Sequence, residues 1–439
     1  MPQSSPTLRR LKSFRVNGLF GFFDHEIDLN TDERITILHG PNGVGKTTIL
    51  RLIESLVRPT AKVWQELTFS KVVAKFLPGG ELSILPEAGR DHLNYSFREG
   101  RQEPLTLRIG TKADLGVPNS VVEDLVPFLR QVRDDTWHDR RLGDIINAEA
   151  VASRYSEYFP PAGASADIPD WFTALQTSLR MQFIETHRLR TRSPPNLPRR
   201  RPTDTPVVQT LADDLSREIE RTLSRSGSLG ASLDRQFPKR LLEGALPGQA
   251  TEDEIRMRYQ EQERLRNRLM AAGLLHSEEG VPLPKASLDE GERKVLWHYL
   301  DDVDTKLEVY QPMLEKIELF QTIISDKDFL YKSMSVGQDD GFAFTSDAGG
   351  DIPLVALSSG EQHELVLTYK LLFGSEGRRL ILVDEPELSL HVGWQRSFLH
   401  DMERIAEITD LDFVLATHSP SIVGHRTDLM VELRGDSNA

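Results

Sequence analysis

The sequence predicts an α/β fold in which a mixed sheet and an antiparallel β subdomain are interrupted by a long helical insert. Three observations carry that expectation. First, a compact β-branched run, Arg34–His39, breaks at Gly40-Pro41-Asn42-Gly43. It is followed by Ile49, Leu50, Ile53 and Leu56 at helical spacing, so strand, glycine-rich loop and helix succeed one another. Second, Leu380–Val383 is a wholly apolar run near the other end of the chain, the pattern of a strand covered on both faces of a parallel sheet. Third, the sequence between these two units is dominated by charged, amphipathic segments of helical period.

In chain order, Leu8 to Leu29 alternates apolar and polar residues around Asn17-Gly18 and Gly21, which predicts two short strands. A helix is expected from Gly45 to Val57, then an antiparallel meander from Trp64 to Gly110 with a Pro-Gly-Gly turn. Val117 to Leu179 reads as mostly helical with a break at Pro160-Pro161, and Met181 to Ile184 as a short strand. Arg188 to Arg201 is Pro-rich, carries six arginines and reads as an exposed loop. Helices follow between Val207 and Met334, including Glu252–Leu274 and Lys285–Ile324. Gly341 to Leu357 predicts a hairpin about Gly349-Gly350. The expected divisions are therefore 1–187, an insert at 188–338, and 339–439, the outer two being halves of one α/β unit.

Composition narrows the class. With 38% apolar and 27% charged residues among 439, the chain reads as soluble and globular. No apolar run approaches the ~20 residues that span a bilayer, and no apolar segment follows the polar, basic start, so neither a membrane partner nor a secretory signal is expected. Cysteine is absent, which removes disulfides and thiolate zinc sites and agrees with a cytoplasmic location. The net charge of −14 argues against a broadly basic, nucleic-acid-wrapping surface, though a local patch stays open.

Four motifs carry chemistry. Gly40 to Thr47 matches G-x-x-x-x-G-K-[ST] between a strand and a helix. Such a loop turns backbone N–H groups of Asn42, Gly43, Val44, Gly45, Lys46, Thr47 and Thr48 towards phosphate oxygens, with the positive end of a helix behind them. Lys46 is placed to bridge β- and γ-phosphates, and Thr47 to take a magnesium position. The apolar strand at 380–383 ends in Asp384 and Glu385, at the carboxyl end where ligands bind in such sheets. Asp384 suits the magnesium shell, and Glu385 suits polarising an attacking water. Leu357-Ser358-Ser359-Gly360-Glu361-Gln362 precedes a helix and in isolation is an ordinary capped start. Phe413–Ala416 is a strand followed by Thr417 and His418.

Taken in order along the chain, these motifs resemble those of ABC-type ATPases: phosphate loop, signature, acidic pair, histidine. The resemblance covers roughly residues 8–110 and 340–430 and implies an ABC-type P-loop ATPase head with ATP and Mg2+ as cofactors. It implies that Ser358 and Gly360 serve in trans, on the γ-phosphate held by a second copy, and that His418 contacts the same group. It nominates Gln182 as a third magnesium ligand and places adenine contacts on the first strands, among Phe14, Arg15 and Phe20. Glu385-Pro386-Glu387-Leu388-Ser389-Leu390-His391 resembles the OLD, RecF and SMC-like group; where transporter ATPases carry Asp, this chain has His391.

Two jobs are compatible with that group. One is the sensor or scaffold subunit of a prokaryotic anti-phage defence complex, PARIS-like or Septu-like, that self-associates and controls a separate effector. The effector is expected to be a Toprim or HNH nuclease on another chain, since 21 residues follow His418. The other is a RecF-like repair ATPase that clamps duplex DNA. The acidic charge favours the first, and the arginines of 188–201 favour the second weakly.

Overall fold

In a computed structural model the described residues are 8–434, apart from 60, 112–118, 127, 134–135, 140–144, 149–150, 152–154, 156–167, 186–206, 249, 276–281, 328, 375–379 and 389. The Arg188–Arg201 loop lies outside them. The chain forms two compact units, Met1–Thr203 with Glu376–Ala439, and Asp204–Ser375. This division differs from the expected 187/188 and 338/339 boundaries, the second of which falls inside a β-hairpin.

The first unit begins with β1 (Arg10–Leu19) and β2 (Phe23–Asp28), then β3 (Ile35–His39), α1 (Lys46–Glu54) and the single turn α2 (Val63–Glu66). The meander follows as β4 (Lys71–Leu77), β5 (Glu81–Pro86), β6 (His92–Arg98) and β7 (Leu105–Gly110). These strands make a six-stranded antiparallel sheet in the order β2-β1-β4-β5-β6-β7. Their alternation of buried and exposed residues is the signal that made them legible, because one face packs on the core.

Among its described residues, the stretch expected to be mostly helical holds strands as well as helices. After α3 (Asn119–Leu125) come β8 (Leu129–Arg133), β9 (Thr136–Asp139) and β10 (Ile145–Asn147), a small antiparallel sheet. Its core is Trp137 with Val122, Val126, Leu129, Ile146, Val151 and Tyr155. Strands of three to five residues are shorter than any window over which a period can be counted, and their polar residues mask the alternation. The stretch closes with the helix α4 (Asp170–Ser178).

The second unit contains α5 (Val207–Glu243), α6 (Glu252–Ala271), α7 (Glu290–Glu308) and α8 (Gln311–Asp326). They are followed by the antiparallel β12 (Lys332–Gly337), β13 (Gly341–Ser346) and β14 (Asp351–Ile352), and by α9 (Ser359–Leu372). An aromatic cluster joins α8, β13 and α9: Phe320 lies 5.7 Å from Phe342, 6.3 Å from Tyr369 and 5.8 Å from Phe373. Edge-on contacts at these distances stabilise beyond simple burial.

The chain then returns to the first unit with β15 (Leu380–Asp384), α10 (Val392–Thr409), β16 (Asp412–Ala416), α11 (Pro420–Val423) and β17 (Met430–Glu432). With β11 (Met181–Glu185) and β3 these form a five-stranded, all-parallel sheet ordered β11-β15-β16-β3-β17. The N-terminal strand β3 thus inserts between two C-terminal strands, as halves of one α/β unit must. Every residue of β16 is buried, and all of β3 and β15 but the last. One core connects both sheets through α1, with Phe14, Val16, Leu50, Ile53, Trp64, Val72, Leu382 and Val414. Arg10 on β1 grips Asp412 at the start of β16 with two hydrogen bonds of 2.9 and 2.6 Å, a forked pair that ties the two sheets together. The expected α/β class with mixed sheets and a helical region is therefore the observed one. No helix among the described residues is long and apolar enough to cross a membrane.

Candidate functional site

The loop between β3 and α1 is built around two backbone conformations that a side chain disfavours. Gly43 has φ +83° and Gly45, which caps α1, has φ +101°. Beneath the loop, His25 Nε2 lies 2.9 Å from the Val44 carbonyl, and its buried imidazole stacks on Phe23 at 5.6 Å. His25 is a supporting residue that motif reading missed. Its only trace in the sequence is a histidine at an inward position of an otherwise ordinary strand.

Lys46 is buried, and its Nζ donates to the carbonyls of Gly40 at 2.9 Å and Pro41 at 3.1 Å. Burial pulls its pKa below the ordinary value, against the upward pull of Glu385, Asp384 and Glu387. Those three carboxylates are thus the charges that keep the ammonium compatible with its burial. The hydroxyl of Thr47 donates to Asp384 Oδ1 at 3.0 Å, bringing two of the three expected magnesium residues together from positions 337 apart in sequence. Hard oxygen donors, one hydroxyl and one carboxylate, fit a cation that takes its remaining ligands from phosphate and water.

Glu385 sits one residue beyond the end of β15 with φ +46°, a conformation costly for a residue with a Cβ. Its N–H donates to the Ala416 carbonyl at 2.8 Å, which locks the turn against the end of β16. Glu387 then reaches back. Its carboxylate accepts from the Thr417 hydroxyl and from the His418 N–H, both at 2.8 Å. Ser419 extends the link by donating to Gln395 Oε1 on α10 at 2.9 Å, while Gln395 donates to the Glu387 carbonyl at 3.2 Å. The acidic turn and the His418 turn are one hydrogen-bonded body. Glu387 lies in the stretch that follows the acidic pair but carried no assigned role there, and Gln395 belongs to no motif, so neither was legible as a site residue.

The structure does not bring Gln182 to the magnesium residues. Its register partner on β15 is Ile381, three residues before Asp384 and about 10 Å along the strand. Alternation also puts Gln182 and Asp384 on opposite faces of the sheet. Glu185 is the residue in register with Asp384. The strand was found, but its offset against β15 is set by tertiary pairing that the sequence does not display.

Among the first-strand candidates, Phe14 is fully buried in the core and Arg15 is paired with Glu26, whereas Phe20 borders the loop. A Cβ at Gly45 would lie 3.4 Å from Phe20 Cε2. Phe20 and Phe22 flank Phe23, and Phe22 is 67% exposed. His391 caps α10, its Nδ1 accepting from the Gly393 N–H at 3.3 Å, which gives that position a local structural role.

Ser358 and Gly360 belong to the second unit, at the start of α9. Ser358 is the N-cap: its Oγ accepts from the Glu361 N–H at 3.3 Å, and Glu361 Oε2 accepts from the Ser358 N–H at 2.7 Å. This reciprocal box rigidifies the helix end. Ser358 and Ser359 are exposed there, while Glu361 is buried. Chemically, the first unit presents a positive helix end, an ammonium, a hydroxyl–carboxylate pair and a strained acid, a set suited to a polyphosphate with a divalent cation.

Comparison with curated proteins gives no match. Among solved structures, the chain is similar to the SMC head domain with an extended coiled coil bound to the C-terminal domain of ScpA, from Pyrococcus furiosus. The two share 12% identity over 97% of this chain and 93% of that one, with a TM-score of 0.38. It is also similar to the SMC head domain from Thermotoga maritima, at 11% identity over 94% and 91%, with a TM-score of 0.32. One family model runs from residue 35 to residue 424, from the first residue of β3 past His418, and so spans the loop, Lys46, Thr47, the acidic turn and His418. The chain belongs to the family described as AAA domain, putative AbiEii toxin, Type IV TA system.

Proposed function

We propose that this protein binds and hydrolyses ATP with Mg2+ at the loop of the first unit, and that the site is completed by the signature end of a second copy. The observation that carries this reading is the meeting of Thr47 with Asp384 at 3.0 Å beside a buried Lys46 and the strained Glu385. Lys46 binds β- and γ-phosphate oxygens, and the N–H groups from Asn42 to Thr48 hold the rest of the triphosphate. Thr47 and Asp384 are the residues that hold the cation, which supplies charge neutralisation at the phosphates. Glu385 accepts a proton from the attacking water, and His418 faces the terminal phosphate. Ser358 and Gly360 of the second copy approach that phosphate from the other side with a helix N-terminus, the same physics applied twice.

We further propose that nucleotide state controls a separate effector, a nuclease of a prokaryotic anti-phage defence complex. The description of the family as a putative toxin of a toxin–antitoxin system supports a role in such conflict. Lys46→Ala should lower ATP affinity by at least about a hundredfold, through loss of a buried charge-assisted contact, and should release the effector from the complex. Equilibrium ATP binding and co-purification with the product of a neighbouring nuclease gene measure these. Unchanged ATP affinity would refute the site, and an effector that stays bound would refute the control. Glu387→Gln should leave ATP binding intact and slow turnover about tenfold, because it loosens the turn that carries His418. Loss of binding and turnover together would show instead that Glu387 merely supports the fold.

A further inference from the structure

One charged contact at the signature end is not part of any motif. Lys332, the first residue of β12, donates from Nζ to Glu361 Oε1 at 2.5 Å. The other oxygen of the same carboxylate accepts from the Ser358 N–H. The lysine is held in place by its own backbone: its N–H donates to the Phe329 carbonyl at 2.9 Å, and it pairs with Ser346 across the β12–β13 hairpin. The preceding Tyr331 carries φ +60°, so the turn that delivers Lys332 is a strained one. Burial alone would push the Glu361 carboxyl up; the hydrogen bonds from Lys332 and Ser358 outweigh it and hold the group charged.

The sign of charge at this helix end is therefore decided by Lys332. A helix N-terminus is equivalent to about half a positive charge. A bare carboxylate in its first turn is a full negative one, and would leave the end net negative towards an incoming triphosphate. The side-chain oxygen that accepts from the Ser358 N–H is needed for the cap, and in this chain it comes with a charge. Pairing it with a lysine keeps the cap and restores the positive end.

We propose that Lys332 is a positioning residue for the shared nucleotide site: it neutralises Glu361 so that the Ser358–Gly360 helix end of one copy can take the triphosphate held by another. This rests on the shared-site reading above. The test uses the full-length chain in a Glu385→Gln background, where hydrolysis does not obscure binding. ATP-dependent self-association is followed by analytical ultracentrifugation over a range of MgATP concentrations. Lys332→Met should raise the ATP concentration for half-association by about tenfold, and Lys332→Arg should leave it nearly unchanged. Lys332→Met with Glu361→Gln should return it towards the parent, because a neutral amide still caps Ser358 without needing a counter-charge. Such a rescue also shows that the single variant was folded. Lys332→Met without effect, or a double variant as impaired as the single, would overturn the proposal. Ser358→Arg separates the two levels: its undiminished association would remove the shared site and this inference with it. Its loss, with Lys332→Met unaffected, removes the inference alone.

Discussion

Replacing Glu385 by Gln should cut turnover by roughly 10²- to 10⁴-fold while ATP stays bound. Gln has the size of Glu and still accepts a hydrogen bond, but it has no basic carboxylate to take a proton from water. The backbone around it should not move. Residue 385 is pinned by its N–H to Ala416 and by the Leu388 N–H on its own carbonyl, and neither bond involves the side chain. The positive φ is a second sign that this residue is placed for chemistry, since an unconstrained strand end would not hold a Cβ there. Single-turnover hydrolysis, with nucleotide retained through gel filtration, measures both halves of the effect. Undiminished turnover in the Gln variant would remove Glu385 from the mechanism. Loss of retained nucleotide would mean that the acid serves binding instead.

Lys327→Met should destabilise the protein by about 3–5 kcal/mol, the cost of stranding one partner of a buried ion pair. Lys327 Nζ lies 3.4 Å from Glu364 Oε1, and the two side chains are only 1% and 4% exposed. Lys327 caps the end of α8 and Glu364 lies in the second turn of α9, so the pair ties the helical insert to the helix that begins with Ser358. Exposed pairs elsewhere, such as Lys239 with Glu243, are worth a fraction of this because solvent screens them. Replacing both partners, Lys327→Met with Glu364→Leu, should recover most of the loss, as neither charge of the pair is left behind. Denaturant midpoints for the two variants decide the matter. Equal stability of Lys327→Met and the parent would mean that the pair contributes nothing.

The parts legible in the sequence were those where one local pattern has one physical cause. Lys46 and Thr47 could be named because a phosphate-binding loop needs glycines at fixed offsets between a strand and a helix, which Gly40 and Gly45 supply, Gly45 with a positive φ. Asp384 and Glu385 could be named because an apolar run that ends in acids marks the carboxyl edge of a buried strand. What failed depended on placement in three dimensions. Gln182 lies on an expected strand, but its register is set by pairing with β15, which offsets it from Asp384 by three residues. The sheet around Trp137 went unread because its strands are too short to show a period. His25, Glu387 and Lys332 act through a carbonyl, an N–H and a carboxylate remote in sequence, and such partners leave no local pattern.

The central claim is that one nucleotide site is built from two copies of the chain, and mixing two inactive variants tests it directly. Lys46→Ala keeps an intact signature end and Ser358→Arg keeps an intact phosphate loop. Each alone should be inactive. In an equal mixture that exchanges partners, half of the dimers pair one variant with the other and carry one intact shared site of two. ATP turnover should then return to about a quarter of the wild-type level. A mixture no more active than its components would contradict the shared site.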